Sequence, residues 1–172
     1  MSKDIIICLI GQSGSGKTTI AKELEKIGYY ILQSYTTREP RSENEWGHTF
    51  VDHYSPTDDI IAYTYFNGYH YWATKEQCLG KGYCFYIIDP AGVEFLKKKC
   101  TNILNFSIFL MVDSNIRLNR LIERDGLKKG INRFTSDINN FNCSLTDYVL
   151  DCNIGTPAMI AKRISKLLPV ID

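Results

Sequence analysis

Ile5-Ile6-Ile7-Cys8-Leu9-Ile10-Gly11-Gln12-Ser13-Gly14-Ser15-Gly16-Lys17-Thr18 is the most informative stretch of this chain. Its first six residues are apolar without a break and rich in β-branched side chains. The run is too short for a stable helix and predicts a strand covered on both faces. The next eight residues fit the pattern G-x-x-x-x-G-K-[ST] in full. From Thr19 a helix follows, with Ile20, Ala21, Leu24 and Ile27 at helical spacing and Gly28 as its stop. Strand, glycine-rich loop and helix thus stand in the order that a phosphate-binding loop requires. The glycines let the backbone curl so that successive N–H groups face one concavity, and the helix adds its positive N-terminal end. Gly11, Ser13, Gly14, Ser15, Gly16, Lys17, Thr18 and Thr19 are expected to cradle the phosphates of a nucleoside triphosphate. Lys17 would bridge the β- and γ-phosphates, and the Thr18 hydroxyl would ligate Mg2+.

Working outward, residues 29–33, 83–88 and 103–112 predict further buried strands, and 148–150 a last one. Helices are expected over 91–99, from a Ser114 cap to about Arg124, over 131–141, and from Thr156-Pro157 to Pro169. Gly126 and Gly130 bracket what reads as a short basic loop. Residues 34–47 are polar, carry two arginines and Pro40, and read as an ordered loop. A small strand is expected at 49–51. Runs 60–66 and 69–72 flank Asn67-Gly68, a hairpin signal because both turn residues must accept positive φ. Thr74 is placed to cap a short helix ending near Gly80. Strands alternating with helices predict an α/β fold, a parallel sheet flanked by helices, with a small antiparallel insertion around residues 48–72.

At 172 residues the chain fits one domain with a substantial core. Apolar residues at 44% and charged residues at 23% exclude a disordered chain. Twenty Lys+Arg against nineteen Asp+Glu leave a net charge of +1, which argues against gripping nucleic acid by bulk charge. No apolar run reaches the ~18–20 residues of a membrane span, and Met1-Ser2-Lys3-Asp4 leads into a strand without a cleavage-like site. No membrane contact and no secretory signal are expected. The six cysteines form no CxxC pair; reduced thiols of a cytoplasmic protein are expected rather than disulfides or a zinc site.

A second anion site is suggested by Ser34-Tyr35-Thr36-Thr37-Arg38-Glu39-Pro40-Arg41. Two arginine forks on a loop stiffened by proline suit one phosphate dianion. A solvated loop is the alternative reading of those arginines alone. Taken with the phosphate loop, and with Gly47-His48-Thr49-Phe50-Val51, the segment 68–74 and Ile88-Asp89-Pro90-Ala91-Gly92, this order and spacing resembles the guanylate kinase family to about Arg133. The resemblance implies a P-loop core (1–33, 81–124 and 142–172), a small mixed β nucleotide-monophosphate-binding subdomain (34–80) and a short helical lid (125–141). It implies that Arg38 and Arg41 hold the phosphate of a nucleoside monophosphate, with Tyr71, His48 and Thr74 adding polar contacts and Ser34 approaching the base. Asp89 would sit near metal and phosphates. Arg120, Arg124 and Arg133 would clasp the donor phosphates, with Lys17 and Arg38 completing the catalytic set. Independently, Arg117, Arg120 and Arg124 fall at i, i+3 and i+7 on one helical stripe. ATP and Mg2+ are the implied cofactors, and a monomer or homodimer the implied assembly.

Several positions depart from the family pattern. His48 replaces a tyrosine, Ala73 a hydroxyl-bearing residue and Ile87 an aspartate. Ala62 stands where a carboxylate reads the guanine edge, which Ala62 cannot do. A guanine donor buried without an acceptor costs about 1–3 kcal/mol. Asp58 or Asp59 would substitute if the alignment shifts; both also read as solvated. The aromatic cluster of Tyr63, Tyr65, Phe66, Tyr69, Tyr71 and Trp72 reads either as hairpin packing or as a stacking surface. The leading expectation is ATP-dependent phosphorylation of GMP or dGMP. A kinase for another nucleotide or small phosphate-bearing acceptor, a polynucleotide kinase and a non-catalytic binding module are the rivals.

Overall fold

The computed structural model describes residues 4–138, 141 and 146–170. In chain order the elements are β1 (Ile5–Ile10), α1 (Lys17–Lys26), β2 (Tyr30–Leu32), β3 (Ser34–Thr36), β4 (His48–Phe50), β5 (Ile60–Phe66) and β6 (Tyr69–Thr74). They continue with β7 (Tyr83–Ile87), α2 (Pro90–Lys99), β8 (Leu104–Met111), α3 (Ser114–Asp125), α4 (Leu127–Ile138), β9 (Tyr148–Asp151) and α5 (Pro157–Leu167).

The main sheet is parallel throughout, in the order β2-β7-β1-β8-β9. β1 is its centre, and no residue of β1 is more than 1% exposed. Because side chains alternate along a strand, β1 feeds two cores. Ile5, Ile7 and Leu9 pack with Ile20, Leu24, Ile160 and Ile164 of α1 and α5. Ile6, Cys8 and Ile10 pack with Val93 and Leu96 of α2 and with Ile61, Ala62 and Ala73 of the second sheet. Each fully buried aliphatic side chain contributes about 1.5–3 kcal/mol, so this one strand anchors both layers. The unbroken apolar run is therefore explained by having no solvent face.

The second sheet runs β4-β3-β6-β5. It is mixed, as the resemblance implies: β3 and β4 are parallel, while β6 is antiparallel to both β3 and β5. The expected loop at 34–47 thus begins as a strand, because Ser34 and Thr36 find a partner in β6 and β4 that local polarity does not reveal. The Asn67-Gly68 turn forms as expected, with φ of 50° and 83°.

Several helix boundaries differ from the sequence reading: α1 begins at Lys17 rather than Thr19, and the helix expected to end near Gly80 is a single 3₁₀ turn at Lys75–Gln77. Asp113, not Ser114, caps α3, accepting the Asn115 N–H at 2.8 Å. The segment between Gly126 and Gly130 is not a loop but the first turn of α4. Gly126 alone turns the chain, with φ of 81°. Gly130 is a contact glycine: a Cβ there would lie 2.9 Å from the backbone of Ile122. Its bare backbone lets α3 and α4 touch as a tight hairpin. The expected continuation of that helix to Phe141 passes through residues outside the described ones, as does Cys143. The other five cysteines are free and buried. Among the described residues no helix is long and apolar enough to cross a membrane.

Candidate active site

The C-terminal ends of β1 and β7, the second sheet and the α3–α4 hairpin surround one cleft of about 650 Å³. Its floor is built by the loop after β1. Gly14 and Gly16 adopt φ of 80° and 89°, which curls the backbone there. Gly14 is pressed against α3: a Cβ would lie 2.8 Å from the Arg117 carbonyl oxygen. Gly11 and Ser15 lie buried beneath the loop, and the Ser15 hydroxyl has no partner. Ser13, Gly14, Gly16, Lys17, Thr18 and Thr19 line the cleft itself. Lys17 Nζ donates to the carbonyls of Gly11 and Gln12. Burial pushes its ammonium down to about 8; Asp137 opposes that shift, and Arg133, Arg117 and Arg124 add to it.

The opposite wall carries the arginine loop. Ser34, Arg38, Arg41, His48 and Tyr71 all line the same cleft as Lys17. Arg38 is held on two sides. Its guanidinium donates to both oxygens of Glu45, at 3.1 and 2.7 Å, and to the Glu39 carbonyl at 2.7 Å. It also lies over the Phe50 ring at 5.4 Å. The Glu45 carboxylate in turn accepts the Arg41 N–H at 2.6 Å and pairs with the Arg41 guanidinium at 3.7 Å. Burial alone would raise the Glu45 carboxyl, but the Arg38 and Arg41 contacts outweigh it and hold it at about 2. Two cations sharing one carboxylate leave a net positive site open to an anion. The Nε of Arg38 is buried without a partner.

His48 and Ser34 Oγ are hydrogen-bonded at 3.0 Å. Burial, aided by the Arg38 charge, pushes the imidazole down to about 4, so His48 is neutral at pH 7. It offers a polar edge without a charge. Beneath it, burial keeps the Tyr86 phenol protonated, beside the Ser34 hydroxyl. Asp89 also lines the cleft. Its Oδ1 caps α2 by accepting the Gly92 N–H at 2.6 Å and takes a bond from Thr64 Oγ1 at 2.9 Å. Burial raises its carboxyl above the usual range.

The α3–α4 hairpin supplies the third wall. Arg120 donates to the Gly14 carbonyl at 3.0 Å, and Arg133 Nε to Ser13 Oγ at 3.1 Å. Arg124 forks onto Asp125 at 2.9 and 2.7 Å. All three line the cleft. Arg117, the fourth of the group, is 3% exposed, reaches the Val112 and Ser13 carbonyls and stacks on Phe134. Its role is to tie the phosphate loop to α3.

Thr74 is the predicted residue that stands apart. It does not line the cleft but caps the 3₁₀ turn at Lys75–Gln77, its N–H donating to the Gln77 side chain at 3.0 Å. Ala62 and Ala73 face each other across β5 and β6, fully buried among Ile61, Val93 and Leu96. Asp58 and Asp59 are exposed outside the cleft. Of the aromatic cluster, Tyr63, Tyr65, Phe66 and Tyr71 line the cleft; Tyr63 also bonds His70 across the β5–β6 hairpin, and Trp72 stacks on Tyr35 of β3.

Glu45 and Asp137 are the charged lining residues that were not foreseen. On α4 the spacing of four sets Asp137 and Arg133 on one helix face; residues 41–45 are not helical, and there the turn of the loop brings Glu45 to Arg41. Asp137 is 3% exposed and accepts the Ser13 N–H through Oδ2. The cleft thus gathers six cationic side chains against three carboxylates in a chain of net charge +1.

No family model matches the chain. A uridine kinase from Brevibacillus brevis is 26% identical to it over 163 residues, spanning 76% of this chain and 70% of that protein. Among solved structures, the guanylate kinase from Anaplasma phagocytophilum matches with a TM-score of 0.62 at 18% identity, over 97% of this chain and 85% of that one. An uncharacterized protein from Eubacterium ventriosum matches with a TM-score of 0.54 at 16% identity, over 94% and 96%. The chain therefore has a P-loop kinase-like α/β fold.

Proposed function

We propose that this chain transfers the γ-phosphoryl group of ATP to the phosphate of a nucleoside monophosphate, with GMP or dGMP as the acceptor. The observation that carries the reading is the shared cleft: Lys17 on its floor, and Arg38 and Arg41 on the opposite wall, braced by Glu45. The uridine kinase and guanylate kinase likenesses support a nucleotide kinase in general. In this reading residues 34–80 form the acceptor-binding unit and 125–141 the lid over a core of 1–33, 81–124 and 142–172.

An acceptor phosphate oxygen attacks the γ-phosphorus as the bond to the β-phosphate oxygen breaks, releasing ADP. The attacking oxygen is already anionic at neutral pH, so no side-chain base is needed. This chain's residues act by position and charge: Lys17, Arg120, Arg124 and Arg133 on the donor side, Arg38 and Arg41 on the acceptor side. The cradle fits an anion, since the Asp137 carboxylate already binds one of its N–H groups. The Thr18 hydroxyl and Asp89 carboxylate are hard oxygen donors of the kind Mg2+ takes. When bound, that ion neutralises charge on the donor phosphates.

A second reading, with another nucleotide or a small phosphate-bearing acceptor, is favoured by one observation. Ala62, which the resemblance aligns with the family's guanine-reading carboxylate, and Ala73, which it aligns with a hydroxyl-bearing residue, are both sealed in the core. The test is turnover of ATP with GMP, dGMP, AMP, IMP, CMP, UMP and dTMP, for the wild type and Lys17→Ala. GMP and dGMP are expected to be phosphorylated, and Lys17→Ala to lose about 10²–10³-fold, the scale of removing one charge stabiliser. Preference for a different base would overturn the acceptor; near-full activity in Lys17→Ala would overturn the mechanism.

A further inference from the structure

Asp137 is a buried acidic side chain, 3% exposed, with no part in the transfer just described. It lies on α4, within the described residues of that helix. It stands on the helix face of Gly130, Arg133 and Phe134, which packs toward α3 and the phosphate loop. Its Oδ2 accepts the Ser13 N–H, one of the donors of the cradle. The charges it meets from the surrounding elements are Lys17 of α1, Arg117 of α3 and Arg133 of α4 itself. Of these, Lys17 and Arg133 are partners a donor phosphate would have.

We propose that Asp137 is an internal substitute for a donor phosphate: its carboxylate occupies the cradle of the unliganded protein, and triphosphate binding requires its expulsion. The inference rests on reading Gly11–Thr18 as the donor cradle. One N–H cannot serve a carboxylate and a phosphate oxygen together, and the two anions repel each other. Binding is therefore weakened by the fraction of molecules in which the carboxylate is in place. The device also keeps Lys17, Arg117 and Arg133 from facing one another uncompensated. It makes opposite demands on stability and on affinity, which a plain structural anchor does not.

The experiment is calorimetric titration of the whole chain with a non-hydrolysable ATP analogue and Mg2+, beside thermal unfolding of the unliganded protein, for wild type, Asp137→Asn and Asp137→Ala. Asp137→Ala should bind the analogue about tenfold or more tightly, the scale of one charge-assisted bond, while its unliganded Tm falls. Asp137→Asn, which keeps the shape and an accepting oxygen but not the charge, should lie between the two and guards against a misfolded alanine variant. Unchanged or weaker binding in both variants overturns the proposal. If the wild type binds the analogue and Lys17→Ala does not, that result leaves the donor cradle standing; if neither wild type nor variants bind it, the donor reading falls too.

Discussion

Lys17 illustrates how little a motif says about a residue's chemistry. The pattern places a lysine beside phosphates; the fold then strips it of water until its ammonium titrates near 8. The free protein therefore begins to lose that charge just above physiological pH, whereas phosphates draw it back. Triphosphate affinity is expected to fall as pH rises through about 8, and binding above that pH to take up a proton. Calorimetry in two buffers of different ionisation enthalpy measures this; an uptake of zero at pH 8.5 would contradict it. Glu45 shows the opposite shift. Its carboxyl titrates near 2 in the folded chain against an ordinary 4.5, so the unfolded chain binds the proton more readily. Its stabilising contribution is complete above about pH 4.5 and vanishes as pH falls through 2. Glu45→Gln should lower Tm at pH 7, with the gap from wild type closing toward pH 2, and should raise the KM for the acceptor by loosening Arg38 and Arg41. An equal gap at pH 7 and pH 2 would show that the charge is not what matters. The motif singled out Lys17 and Thr18, and the family resemblance Arg38 and Arg41, and all four line one cleft. Glu45 and Asp137 were not singled out, because a carboxylate near an arginine is ordinary on any polar surface, and only the folded cleft shows that one braces Arg38 and the other meets the Ser13 N–H.

Among the elements, β1 was readable from its pattern alone: six apolar residues in succession admit no solvent face, and the two cores confirm it. The α3–α4 hairpin was not. Glycines at 126 and 130 with lysines between them carry the local signature of a loop, and helix propensity agrees with that reading. The contact with Ile122 overrides it, since a backbone packed at van der Waals distance tolerates no Cβ. Gly130→Ala should therefore destabilise the fold by about 1–3 kcal/mol, the usual penalty of overpacking, although alanine is the better helix former. Denaturant unfolding decides the sign. Stabilisation would mean that α4 stands off α3, and that Asp137 is not held against the phosphate loop.

For the whole molecule, the decisive fact is where a nearly neutral chain puts its charge. The cationic side chains converge on one cleft from three walls: the loop after β1, the second sheet and the helical hairpin. A ligand spanning all three should be held better than one touching a single wall. An analogue joining adenosine to guanosine through five phosphates, at about 100 times its Kd, should stabilise the protein by about 2.7 kcal/mol, which for a domain of this size raises Tm by about 5–10 °C. ATP at the same concentration should give a smaller shift because it leaves the Arg38–Arg41 wall empty. Equal shifts would mean that the second wall does not face the donor.

Local order was written along the chain: the central strand, the phosphate loop, the hairpin turn and the alternation of strand and helix each follow from periodicity and from which residues tolerate an unusual backbone. Long-range pairing was not, because it depends on which groups lose water together once the layers close. That is why Asp137, far away in sequence, meets the Ser13 N–H, and why Ala62 and Ala73 lie in the core rather than in the cleft.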